Sequence, residues 1–173
     1  ISIKIDDITS FLGDNSSGKT AALMALNCLF SANSMDRTLK RSDFHLPKDM
    51  SPDIQESQML YIEAIFTFDN LDNANESFDI PHFFSSVVVD EPEGTPYLRI
   101  RLEATWEKSS NLEGAIESKL YYITCPESDE ISDEVKVTAF RKDLDHIRVI
   151  YVPAVRDPSK QLKNVSGTMM NQI

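Results

Sequence analysis

The sequence predicts an α/β fold in which a phosphate-binding loop joins a short buried strand to a helix and an antiparallel β-meander follows. Two observations carry this. Gly13, Asp14, Asn15, Ser16, Ser17, Gly18, Lys19 and Thr20 satisfy the pattern G-x-x-x-x-G-K-[ST] in full. Further along, residues 59–68 and 97–107 alternate apolar and polar side chains with the period of two that a sheet covered on one face demands.

The elements follow in order. Ile8, Thr9, Ser10, Phe11 and Leu12 read as a short buried strand leading into the loop. Residues 21–30 lack Gly and Pro and place Leu23, Leu26 and Phe30 at helical spacing, so the loop opens a helix. Residues 31–57 are polar and read as a connector with at most a short helical piece. In residues 59–68, Leu60, Ile62, Ala64, Phe66 and Phe68 share one face, and Tyr61, Glu63 and Thr67 take the other. In residues 97–107, Leu98, Ile100, Leu102, Ala104 and Trp106 face Arg99, Arg101, Glu103 and Thr105 across the strand, which predicts an antiparallel sheet with a solvated side. Residues 108–114 form a hairpin loop to a partner strand at 115–124, and 134–139 add another. A last strand at 148–152 ends at Pro153, and Asp157 and Pro158 mark a helix start.

The loop pattern has a specific chemistry. A helix N-terminus presents unpaired backbone N–H groups and the positive end of the macrodipole, both suited to the phosphates of a nucleotide. The glycines let the backbone wrap those phosphates. Lys19 is expected to reach the β- and γ-phosphates of ATP, and the Thr20 hydroxyl to ligate Mg²⁺.

Composition narrows the classes. The chain has 173 residues, of which 41% are hydrophobic, enough for one ordinary core with room for a small lobe, so one domain or part of one is expected. No apolar run reaches the roughly 18 residues that a spanning helix needs, and the first residues lack a signal-peptide pattern. Cys28 and Cys125 are too few for a disulfide framework and suit a reducing cytoplasm. A net charge of −11 argues against this chain itself being a DNA surface, since that binding rests on Lys and Arg. The acidic stretches at 69–79, 90–93 and 127–134 read as solvated loops.

A loop strand and helix followed by several antiparallel strands departs from the alternating β-α-β order of small GTPases and nucleoside kinases, and fits the N-terminal lobe of an ABC-type ATPase head. Three stretches sharpen that. Residues 11–20, the run Arg41, Ser42, Asp43, Phe44, His45, and residues 149–157 (Val-Ile-Tyr-Val-Pro-Ala-Val-Arg-Asp) together resemble the N-terminal ATPase region of the overcoming-lysogenization-defect (OLD) family of ATP-dependent endonucleases, relatives of RecF and SMC heads. The resemblance implies ATP and Mg²⁺ as cofactors, pairing of two heads into a homodimer or higher oligomer, DNA contacts outside this region, and a Toprim nuclease domain further on. No signature loop, Walker B strand with catalytic Glu, or Toprim motif is found here. The chain is therefore expected to be the first part of an ATPase domain, with a sheet lobe at about 59–152 and its catalytic Glu elsewhere.

Weaker candidates remain. Val87, Val88, Val89, Asp90 and Glu91 imitate a Walker B strand, but they come too early in the order and end in turn chemistry, so they are read as a loop. Arg156 and Gln161 occupy the place of the nucleotide-sensing Gln loop of ATPase heads. His45 beside Asp43 is a candidate for the nucleotide or a partner head, with a structural hydrogen-bonding pair as the alternative. Trp106 is expected in the core. The functions compatible with this reading are the ATP-binding head of an OLD endonuclease, with the role in phage defence that the resemblance implies, or a RecF- or SMC-like head without nuclease activity; the long meander disfavours a small-molecule kinase.

Overall fold

The computed structural model describes residues 1–15, 17–45, 56–68, 82–91, 94–109 and 114–152. It is an α/β structure with one antiparallel sheet and few helices. Two compact units divide the chain: Ile1–Arg37 with Val149–Ile173, and Thr38–Arg148.

In the first unit, α1 spans Lys19–Phe30, as the spacing predicts. Its sequence is built largely from Ala, Leu and Met, the residues with the strongest intrinsic helix preference. Asn27, Leu29 and Phe30 are buried. The helix stops where Ser31 turns extended, its N–H still bonded to the Asn27 carbonyl at 2.9 Å. A 3₁₀ turn at Ser34–Arg37 then brings the Arg37 guanidinium back onto the carbonyls of Ser31 (2.5 Å) and Ala32 (2.9 Å), a cation at the negative end of the helix dipole.

The strands expected at 8–12 and 148–152 are not formed. Both stretches are irregular, and Ile8, Leu12, Ile150 and Val152 are exposed. An apolar run becomes a parallel core strand only when neighbours on both sides take its backbone hydrogen bonds, and among the described residues no strand does so.

The second unit is the sheet. Its strands are β1 (Ser57–Thr67), β2 (Val88–Val89), β3 (Tyr97–Glu107), β4 (Ala115–Ile123) and β5 (Lys136–Thr138), with the order β1-β3-β4-β5. β1 and β3 pair antiparallel without a break from Ser57 opposite Glu107 to Thr67 opposite Tyr97. β4 pairs with β3 as far as Arg99 opposite Ile123. Because β1 fills the other edge of β3, β2 takes the place that β4 leaves, with Val88 opposite Leu98 and Val89 opposite Tyr97. Residues 134–139 yield less strand than expected: Asp133–Val135 is a 3₁₀ turn, and only Lys136–Thr138 joins β4.

The register aligns the apolar residues. Leu98, Ile100, Leu102, Ala104 and Trp106 of β3 are all buried, and so are Leu120 and Tyr122 of β4 on the same face. Burial of a side chain such as Leu98, Ile100 or Leu102 contributes roughly 1.5–3 kcal/mol relative to exposure. The β3–β4 connection closes at Gly114, whose φ of +72° is left-handed. A Cβ there would stand 2.3 Å from Trp106 Nε1 and 2.6 Å from the Glu107 carbonyl, so this position requires glycine.

The opposite face differs from the solvated side that alternation predicts. Arg99 is buried, and its neighbours form a charge ladder. Glu63 receives Arg99 Nε at 2.7 Å and Arg101 Nη1 at 2.8 Å; Glu103 receives Arg101 Nε at 2.9 Å and Lys136 Nζ at 3.0 Å. Arg99 Nη1 also donates to the carbonyls of Cys125 (2.6 Å) and Pro126 (2.8 Å). Period two tells which side chains share a face, and not how far they cover one another.

Candidate functional site: the glycine-rich loop

The loop before α1 is shaped by its glycines. Gly13 has φ +155° and Gly18 has φ +89°, both in the region that favours glycine. A Cβ on Gly13 would approach Ser17 Oγ to 2.9 Å, so a side chain there would crowd the turn that Ser17 N–H makes to the Asp14 carbonyl at 3.3 Å. Gly18 is the N-cap of α1, and no side chain caps the helix there. The first turn also contains no acidic residue. This end of the helix dipole is thus not neutralised by its own sequence, the condition an incoming anion exploits.

Lys19 closes the loop. Its ammonium donates to the carbonyls of Gly13 (2.6 Å) and Asp14 (2.5 Å) and to Ser17 Oγ (3.3 Å). The first two bonds tie the start of α1 to the opposite arm of the loop and hold a positive charge at its mouth. The longest, to a hydroxyl that can rotate away, is the one a phosphate oxygen can replace. Asp14, Asn15, Ser17, Gly18 and Thr20 are exposed, and the Thr20 hydroxyl stands in the first turn. Ser16 lies outside the described residues. The motif names the side chains of such a loop; that two backbone carbonyls fix the lysine is visible only in three dimensions.

The remaining candidates fare differently. Arg156 and Gln161, with the helix start at Asp157 and Pro158, lie outside the described residues. His45 belongs to the sheet unit and does not pair with Asp43. Asp43 Oδ2 instead accepts the Lys40 N–H at 2.7 Å, and His45 contributes its backbone carbonyl to Gln58 Nε2 at 2.7 Å. The same Gln58 receives Arg41, whose guanidinium stacks 3.8 Å from the centre of the Trp106 ring. The local geometry of residues 41–45 therefore answers to the sheet: a 3₁₀ turn seats Arg41 on Trp106, and Trp106 is core as expected.

Val88 and Val89 form a two-residue antiparallel strand rather than the loop expected there, and Asp90 is exposed beyond it. Glu91 is engaged by the sheet: Tyr97 Oη donates to its Oε1 at 2.5 Å and accepts the Glu127 N–H at 3.1 Å. Burial, then the Glu91 carboxylate, pushes the Tyr97 hydroxyl above its ordinary pKa. Burial alone would lower Arg99, but Glu63 outweighs it and the guanidinium is held more firmly charged. The bond to Glu103 raises Lys136. Tyr122 Oη is buried without a hydrogen-bond partner, and burial followed by the nearby Asp143 charge pushes it up to about 12. Cys28 and Cys125 are not joined in a disulfide; Cys125 Sγ accepts Arg99 Nη1 at 3.7 Å. Among the described residues no group of three or more His, Cys, Asp or Glu could hold a metal, and no helix is long and apolar enough to cross a membrane.

Fold and loop define an α/β protein that combines an antiparallel sheet with a glycine-rich loop opening a helix. A family model described as "Protein of unknown function (DUF2813)" matches residues 1–121, and the chain belongs to that family. No curated protein and no solved structure matches it.

Proposed function

We propose that the chain is the ATP-binding N-terminal part of an ABC-type ATPase head in an OLD-family DNA endonuclease of the cytoplasm. The observation that carries the nucleotide reading is Lys19, held by the Gly13 and Asp14 carbonyls at the uncapped start of α1. Such a loop offers backbone N–H donors and one fixed cation to a triphosphate, and phosphoryl transfer depends chiefly on positioning and electrostatics of that kind. Lys19 would bind the β- and γ-phosphates, and Thr20 would hold Mg²⁺. The endonuclease reading, with paired heads, DNA contacts outside this chain and a role in phage defence, rests on the likeness of residues 11–20, 41–45 and 149–157 to OLD proteins.

Isothermal titration of ATP and Mg²⁺ into the chain and into Lys19→Ala tests the nucleotide reading. Loss of a charge-assisted contact worth about 1.5–3 kcal/mol lowers affinity at least about tenfold. Circular dichroism should remain unchanged, because Lys19 bonds only its own loop. Equal ATP affinity in a folded Lys19→Ala variant refutes the proposal. The chain alone is expected neither to hydrolyse ATP nor to cut DNA, because neither a water-polarising Glu nor a signature loop is identified in it.

A further inference from the structure

An ammonium group has three protons to donate, and three oxygens of the loop receive those of Lys19: the Gly13 carbonyl at 2.6 Å, the Asp14 carbonyl at 2.5 Å and Ser17 Oγ at 3.3 Å. A phosphate can bond this cation only by displacing one of them. The two carbonyls belong to the backbone and cannot withdraw unless the arm of the loop that carries them moves. Ser17 can. Its own backbone is held by the N–H bond to the Asp14 carbonyl at 3.3 Å, while its hydroxyl leaves by a simple change of rotamer. The absence of a side chain at Gly13 makes room for that hydroxyl, because a Cβ there would stand 2.9 Å from Ser17 Oγ. The loop pattern accepts any residue at position 17, so the hydroxyl belongs to this chain and not to the pattern.

We propose that Ser17 is a latch on the nucleotide loop: its hydroxyl takes the third proton of Lys19 and yields it to the β- or γ-phosphate of an incoming nucleotide. The inference rests on the nucleotide reading and adds to it a residue that opposes binding. A phosphate oxygen carries charge and a hydroxyl does not, so the ammonium exchanges a weaker acceptor for a stronger one and keeps both carbonyls. The lysine stays in place and only the serine turns. Binding is weakened by the net worth of the bond given up, which for one hydrogen bond corresponds to a factor of about three to ten in affinity. Ser17 is thus a positioning residue that acts through Lys19, and it sets the threshold at which the loop fills.

Isothermal titration of ATP, ADP and AMP with Mg²⁺ tests this on the chain, on Lys19→Ala, and on two variants that remove the acceptor. Ser17→Ala deletes it, and Ser17→Cys keeps nearly the same shape with a sulfur that accepts hydrogen bonds only weakly. Both should bind ATP and ADP about three- to tenfold more tightly than the chain, with circular dichroism unchanged, because Ser17 is exposed and its backbone bond does not use the hydroxyl. A loop merely loosened by the substitution would not bind more tightly. AMP, which lacks the phosphates Lys19 is expected to reach, should show no such gain. ATP binding by the Ser17 variants alone also supports the latch, since the chain is then held closed by it. Where the chain binds ATP and Lys19→Ala binds it less, unchanged or weaker binding by the Ser17 variants, or an equal gain for AMP, overturns the latch and leaves the nucleotide reading standing. Failure of the chain and of both Ser17 variants to bind ATP, or equal binding by Lys19→Ala, overturns the nucleotide reading and the latch with it.

Discussion

Removing Glu63 should destabilise the sheet more than any surface ion pair would. Its carboxylate bridges two guanidiniums, and the side chains of Arg99, Glu63 and Arg101 are only 5%, 12% and 15% exposed. Glu63→Ala leaves Arg99 Nε without its acceptor and the Arg99 charge uncompensated. Breaking a buried pair in this way costs about 3–5 kcal/mol. The lower end applies here, because Arg99 keeps the carbonyls of Cys125 and Pro126 and Arg101 keeps Glu103. A loss of about 3 kcal/mol is a large share of the 5–15 kcal/mol typical of a domain, and it corresponds to a Tm lower by roughly 6–12 °C. Urea unfolding followed by circular dichroism measures it. Glu63→Leu combined with Arg99→Met should cost less than Glu63→Leu alone, since no buried charge is then left unpaired. A Glu63→Ala midpoint equivalent to less than about 1 kcal/mol, the range of an exposed pair, refutes the reasoning.

Three further outcomes are expected. Tyr122→Phe should stabilise the protein by about 1 kcal/mol in thermal unfolding, because it removes a buried hydroxyl that has no partner. The folded Tyr122 pKa is raised from 10.0 to about 12, so the folded state holds this proton more tightly; that stability is present below pH 10 and lost as pH rises through about 12, and Tyr122→Phe should flatten this slope. Gly114→Ala should cost about 2–4 kcal/mol in urea unfolding, combining a left-handed backbone with a Cβ driven into Trp106. Glu91→Gln should leave the proposed ATPase activity of the intact protein unchanged, since Glu91 serves Tyr97; a hundredfold fall, on the scale of losing a catalytic group, would make Glu91 catalytic.

The sequence by itself determined whatever is local or strictly periodic. The glycines, Lys19 and the Ala- and Leu-rich run that follows specify a loop opening a helix, because φ preference and helix propensity act within a few residues. Alternation located β1 and β3 and their apolar face, because a pleat has a period of two whatever surrounds it, and the hairpin loop after β3 located β4. Tertiary structure decided what depends on partners distant in the chain. Residues 8–12 and 148–152 have strand-like sequences and are irregular, because a strand exists only when another segment takes its hydrogen bonds. Arg99 looks like a solvated side chain in the alternating pattern, yet Glu63, 36 residues away, and the carbonyls of Cys125 and Pro126 bury it. Asp43 and His45 are close in sequence and bind different partners, since the turn at Arg41–Asp43 is set by the stacking of Arg41 on Trp106. The motif marks Lys19 as the expected phosphate ligand, but its anchoring by the Gly13 and Asp14 carbonyls follows from the path of the backbone, which a pattern of side chains does not specify.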